Sequence, residues 1–379
     1  MSGKTAHRFV PLTVFWAAST VVLGAQPAEQ VAASRVIELA AAAGPEAPVI
    51  TAVAIDPGAR YLVAGGDDHR VWIWDLSRGE LLERLPAHTD WVRCAAFDPT
   101  GQTLVTAGDD GQVRFWALAH RRAFRTLNRG VRPVRALAFD STGELLAVGG
   151  RQDGVWVIHV ASGRPVRRLE GSGADTRAVV FSPDGQHLAA AGRSGRVRVW
   201  EVASGRMVSD MEGHRRRVRA LAYSPDAKYL ASAGEDRTIR IWEAGAGTSA
   251  GSLPAQAAVV LSLAFCGPNH LAVGSSDNLI RVWNLDSMRQ QWRLVGHTGS
   301  VTALVWNARE GLLVSGSYDT TVRLWQLPPS SKDVTADADD DPKRSRPTGS
   351  PVSLGSDGTE LPAVRASEAL HRPALDTRR

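Results

Sequence analysis

Between residues 49 and 327 the apolar positions fall in short runs separated by turns. One window shows the pattern. "VRCAAF" (92–97) is rich in β-formers. "DPTGQ" (98–102) puts Pro and Gly where turns favour them, "TLVTAG" (103–108) is a second run, and "DDGQ" (109–112) is a tight turn. "VRFWAL" (113–118) alternates as a half-buried strand does, and a weaker run, "AFRTL" (123–127), follows. The window predicts four short strands. No part of the region carries the 3.6-residue spacing of an amphipathic helix.

The window then recurs. "VWIWDL", "VRFWAL", "VWVIHV", "VRVWEV", "IRIWEA", "IRVWNL" and "VRLWQL" are anchored at Trp74, Trp116, Ile158, Trp200, Trp242, Trp283 and Trp325. Their spacings are 42, 42, 42, 42, 41 and 42 residues. A fixed period of this length marks copies of one supersecondary unit, seven in all. The Trp74-Asp75 dipeptide and the Gly213-His214 and Gly296-His297 pairs make the unit resemble the WD40 repeat. The resemblance covers 49–327 and implies an all-β fold, a seven-bladed β-propeller of four-stranded antiparallel blades. Physically, a small four-stranded sheet cannot bury both faces alone, whereas seven in a ring cover one another.

The seventh copy stops at Leu327, where Pro328 and Pro329 block a further ladder strand. Its outer strand is missing, while a surplus run, "SRVIELAAA" (34–42), lies upstream of the first copy. In the family an N-terminal strand closes the last blade, and the resemblance gives 34–42 that role.

"SGSYDTTVRLW" (315–325) with His297 upstream has the parts of a nucleophilic triad. The parts repeat, however. His297, Ser315, Asp319 and Trp325 recur as His214, Ser232, Asp236 and Trp242, and as His88, Thr106, Asp110 and Trp116, with 28 residues from His to Trp each time. A nucleophile is not installed three times around a ring. The resemblance implies a buried hydrogen-bond chain within each blade, and the donors and acceptors suit one. Four copies depart from it. The Trp74 copy keeps Asp68 without the His, the Ile158 copy has Gln152 for Asp, the Trp200 copy has Ser194, and the Trp283 copy keeps Asp277 but has Val273 for the hydroxyl. Blades three and four are therefore expected to be looser or shifted by a residue.

Composition changes this picture little. Of 44 basic residues in 379, only Lys4, Lys228, Lys332 and Lys343 are lysines, and the net charge is +5. That charge invites a nucleic-acid reading. Arg114, Arg198, Arg240, Arg281 and Arg323, however, all stand two residues before their anchor, on one strand face, where their stems can pack between blades. No nucleic-acid partner is expected. Cys94 and Cys266 fall in widely separated repeats, where a bridge would be hard to close.

The ends differ from the middle. Lys4 and Arg8 precede an apolar run from Phe9 to Ala25 with small residues after it, as in a secretory signal peptide. The run is short for a spanning helix. This reads as 1–25 signal, 26–33 linker, 34–327 propeller and 328–379 a disordered tail rich in Pro, Ser and Asp. The chain is then an exported, bacterial-type protein with no stable membrane span. An anchor formed by 9–25, or a miscalled start on a cytoplasmic protein, are the alternatives. The tail's Asp337, Asp339, Asp340 and Asp341 lack the Gly and distal Glu of a calcium loop, and neither metal nor cofactor is expected.

In WD40 proteins partners most often dock on the face carrying the loop before the first strand and the tight turn before the Trp strand. On that face Trp91, Asp109, Arg151, Arg193, Arg217, Glu235 and Tyr318 are the candidate binding residues. An aromatic beside charges fits a hot spot, though ordinary solvated loops read the same way. The chain is thus read as a non-enzymatic, monomeric scaffold for a protein or peptide. The alternative is an exported propeller enzyme or small-ligand binder with its site in the central funnel, for which the sequence offers no polar cluster outside the repeat pattern.

Overall fold

A computed structural model describes residues 28–39, 47–120, 122–128 and 133–328. The expected signal (1–25) and nearly all of the expected tail lie outside the described residues. Seven antiparallel sheets follow one another along the chain. The first holds β3 (Ile50–Ile55), β4 (Tyr61–Gly66), β5 (Arg70–Asp75) and β6 (Glu80–Pro86), paired in that order. Blades two to six repeat this order over 92–128, 134–169, 176–211, 218–253 and 260–294. The first strands of adjacent blades touch all the way round, with Val301–Asn307 of blade seven against β3 to close the circle.

Blade seven takes its fourth strand from the N-terminus. β2 (Arg35–Glu38) pairs antiparallel with Thr321–Gln326, with Val36 opposite Arg323 and Ile37 opposite Val322. Ring closure by this segment is as expected, in a strand shorter than 34–42. The stretch expected as a linker, 26–33, contains a strand as well. β1 (Glu29–Val31) runs parallel to the outer strand of blade six, with Gln30 opposite Arg293, and gives that blade a fifth strand.

The core is divided among the gaps between blades. Seven apolar clusters occupy them, one per gap, among the described residues. Each anchor packs toward the preceding blade: Trp242 lies with Leu221 and Met211, and Trp325 with Val282 and Leu294. Ile158 holds this place for blade three and is wholly buried with Phe115 and Leu146. The pairing corrects one half of the expectation for blades three and four, the shift by a residue. Both keep four strands, and both carry the first-strand register break found in every other blade. An Ile of smaller volume fills the gap without a slip, because a one-residue slip would turn the whole apolar set outward.

Arginines clasp the rim. Arg167, on the outer strand of blade three, donates to the carbonyls of Ala203 (2.6 Å) and Ser204 (2.8 Å) in the next blade's hairpin. Arg125 does the same to Val160 and Ala161, and Arg35 of β2 to Leu76 (3.1 Å) of blade one. Cys94 and Cys266 are both unpaired thiols, and burial pushes each well above the usual thiol range.

Candidate functional site

In blades two to seven the residue opening the tight turn and the residue before the first strand are joined by backbone. The N–H of Asp109 donates to Trp91 O at 3.0 Å, Arg151 to Pro133 at 3.1 Å, Arg193 to Asp175 at 3.2 Å, Glu235 to Arg217 at 2.9 Å and Tyr318 to Ser300 at 3.0 Å. The residue before the turn must therefore lie against that carbonyl. At Gly108 a Cβ would come within 2.1 Å of Trp91 O, and at Gly234 within 2.1 Å of Arg217 O. Glycine at these points lets the two loops meet on one face.

Just inside this face each first strand carries a β-bulge, and the extra residue is left unpaired. The bulge re-aims that residue toward the central channel. Four of the seven are arginines 42 residues apart: Arg93, Arg135, Arg177 and Arg219. The other three, Thr51, Leu261 and Thr302, are uncharged, and with Tyr318 these side chains line a cavity of about 160 Å³. The funnel thus holds a polar cluster, built from positions that follow the repeat and that the sequence reading did not single out.

Carboxylates from the loop face thread between these arginines. Asp109 takes Nε and Nη2 of Arg93 at 2.8 and 2.7 Å and lies 3.0 Å from Arg135. Asp175 pairs with Arg177 at 3.0 Å and Arg217 at 3.2 Å. Glu235 pairs with Arg217 at 3.1 Å and Arg219 at 2.7 Å. The result is a row of five guanidinium groups and three carboxylates across blades two to five. Burial, then the neighbouring Arg93 charge, holds Arg135 below the usual arginine range; burial lowers Arg177 too, against the pull of Asp175.

The candidate binding residues therefore divide. Asp109, Arg217 and Glu235 belong to this row, with Arg217 paired to both Asp175 and Glu235. Trp91 is half-buried, its ring under the Arg93 guanidinium at 4.2 Å. Tyr318 is 44% exposed, and Arg151 and Arg193 are exposed with no ion pair among the described residues.

Three blades contain the repeated polar quartet. In blade seven Trp325 Nε1 donates to Ser315 Oγ at 2.8 Å, Ser315 Oγ lies 2.7 Å from His297 Nε2, and His297 Nδ1 lies 2.8 Å from Asp319. Blade five has Trp242–Ser232 at 2.8 Å, Ser232–His214 at 2.7 Å and His214–Asp236 at 2.9 Å. Blade two has Trp116–Thr106 at 2.9 Å, Thr106–His88 at 2.9 Å and His88–Asp110 at 2.9 Å. The indole only donates, so the hydroxyl must give its proton to Nε2, leaving Nδ1–H for the carboxylate. Each Asp also accepts the N–H of the residue after the His, as Asp319 does from Thr298 at 2.9 Å. Thr106, Ser232 and Ser315 have no exposed surface.

Where a member is missing the bond is missing. In blade six, with Val273 in the hydroxyl position, the buried Trp283 Nε1 has no partner. In blade one Trp72, not the anchor, reaches Asp68 at 2.8 Å. Val273→Thr should restore an acceptor, since Thr106 fills the same position in blade two. Stability should rise by about 1 kcal/mol, the net worth of a satisfied buried donor. Urea unfolding measures it, and a midpoint at or below the parent's would contradict the account.

Similarity to known proteins follows the same blades. The family profile "WD domain, G-beta repeat" matches 39–75, 79–117, 163–201, 205–243, 247–284 and 288–326, together more than half of the chain. Later matches each begin one or two residues before the outer strand of one blade and end on the third strand of the next, and the Ile158 copy is passed over. The chain is 32% identical to the Periodic tryptophan protein 2 homolog of Neurospora crassa over 29% of this chain and 13% of that protein. It is 32% identical to THO complex subunit 3 of Arabidopsis thaliana over 27% of this chain and 35% of that one. With DDB1- and CUL4-associated factor 13 of Dictyostelium discoideum the identity is 36%, over 16% and 13%. The alignments thus span about a third or less of these relatives' own length. Seven blades on a 42-residue period, buried Trp–Ser–His–Asp chains and six profile matches make the chain a member of the WD40 repeat family.

Proposed function

We propose that this propeller is a non-enzymatic scaffold that binds a protein or peptide on the face where the paired loops meet, and that it does so after export. The exposure of Tyr318 on that face, where it lines the arginine cavity, carries the reading, with half-buried Trp91 against Arg93 on the same face. An aromatic held against a guanidinium and flanked by charges has hot-spot composition. Relatives named as a complex subunit and an associated factor support a scaffold role. The quartets are proposed as blade cement: a hydroxyl with no exposed surface meets no substrate, whatever its distance from a His. The basic start and the apolar run from Phe9 to Ala25 support export.

The test is affinity capture with the whole protein, followed by titration of the captured partner. Tyr318→Ala should weaken binding about tenfold or more, a hot-spot loss. Arg309→Ala, an exposed site beside the Asp98 and Asp140 turns, should leave it unchanged. The opposite ranking would place the partner on another face.

A further inference from the structure

The charged row does not balance. Five guanidiniums (Arg93, Arg135, Arg177, Arg217, Arg219) face three carboxylates (Asp109, Asp175, Glu235), an excess of two positive charges. Blade cement alone would need no excess, and like charges brought this close repel. The carboxylates engage the Nε and Nη2 edges of Arg93, Arg177 and Arg219. The Nη1 groups of Arg93, Arg135, Arg177 and Arg219 donate to no protein acceptor among the described residues. The opposite arc of the channel is neutral. Thr51 and Thr302 turn their hydroxyls to backbone carbonyls, Thr302 to Ile50 at 2.6 Å, so neither supplies a counter-charge.

We propose that the channel mouth is a phosphate-binding site, in which the arginines on the bulges of blades two to five hold one phosphate group. A phosphate monoester carries about −1.5 to −2 at neutral pH, which matches the excess, whereas one carboxylate would leave it half unmet. Arginine forks suit phosphate oxygens and are weakly hydrated, so little is lost in desolvating them. The cavity of about 160 Å³ admits a compact anion, and Tyr318 also lines it. Such a group can arrive free or on a partner's phosphorylated side chain. The second form rests on the binding reading above; the first does not.

Isothermal titration of the whole protein tests it with three probes: inorganic phosphate, a phosphoserine peptide, and the same peptide unphosphorylated. Saturable one-to-one binding of inorganic phosphate is expected, weakening with salt. Arg135→Gln and Arg177→Gln should each weaken it about tenfold or more, the scale of one charge-assisted bond. Either variant leaves its carboxylate one arginine, Arg93 for Asp109 and Arg217 for Asp175, so the fold should survive, and a melting curve checks this. Exposed Arg309→Gln, away from the loop face, should bind as the parent does. Tighter binding of the phosphopeptide than of phosphate, with none by the plain peptide, would assign the group to a partner; phosphate alone would assign it to a free ligand. Failure of both phosphate probes overturns the site, as does equal loss in Arg309→Gln. A partner that binds at the Tyr318 face regardless of excess phosphate and of Arg135→Gln would overturn the site and leave the scaffold reading standing.

Discussion

A chain that begins at Pro48 should melt about 10 °C below one that begins at Ala28, and it should associate as its concentration rises. Ile37 and Leu39 are buried in the gap between blades seven and one, against Val322, Leu324 and Trp74. Burying two such side chains is worth roughly 3–6 kcal/mol, and the ladder from Ser34 to Leu39 adds to it. Ordering the segment costs part of this back, and a net loss of about 4 kcal/mol is what remains. At roughly 2–4 °C per kcal/mol for a domain of this size, that gives the shift. The edge left on Thr321–Gln326 would be a row of unpaired N–H and C=O groups, a template for another chain. Arg35 would also be lost from Leu76, unclasping blades seven and one. Calorimetry and light scattering on the two chains read both effects. Equal melting and a monomer at all concentrations would show that β2 is not what closes the ring.

Such a strand can be anticipated because the arithmetic of strands leaves blade seven one short. β1 cannot. "EQV" is three residues with no alternation to read, and its partner, Trp292, lies more than 260 residues away. The anchors are legible because a Trp that returns every 42 residues must fill one repeated place in the fold. The channel arginines share that period, yet their place is hidden for a geometric reason. In a regular strand Arg93 would lie on the face opposite Val92 and Cys94. Its aim at the axis comes from the bulge, and a bulge is a property of pairing, not of local sequence. Trp91 looks free in sequence for a related reason. Its counterparts at the same position in other blades are not aromatic, so the repeat gives it no partner. The Arg93 guanidinium against its ring becomes visible only when the bulge has placed that side chain.

His214→Ala should lower stability by about 3 kcal/mol at pH 7, and the gap between variant and parent should narrow toward pH 5. Loss of the ring leaves Ser232 Oγ without its acceptor, takes the Nδ1–H from Asp236, and opens a void in blade five. The pH dependence follows from the ring's charge state. Burial holds His214 below its ordinary 6.5, although Asp236 pulls the other way. An unfolded chain therefore takes up a proton there first, and the parent loses stability as pH falls through 6.5. The variant lacks that group and lacks that loss. Farther down, burial raises the carboxyls of Asp110, Asp236 and Asp319, but their His partners and backbone N–H donors outweigh it and hold all three below the ordinary 3.8. Their contribution is whole above that pH and is lost beneath it, so the parent should weaken in two stages on acidification. Urea midpoints across this range, for parent and variant, separate the stages. A gap that stays constant from pH 7 to 5 would mean that His214 takes up its proton as readily in the fold as in the unfolded chain. At pH 5 Nε2 would then carry a proton and donate to Ser232 Oγ, so that one bond would run the other way while Trp242 and Nδ1 still donate.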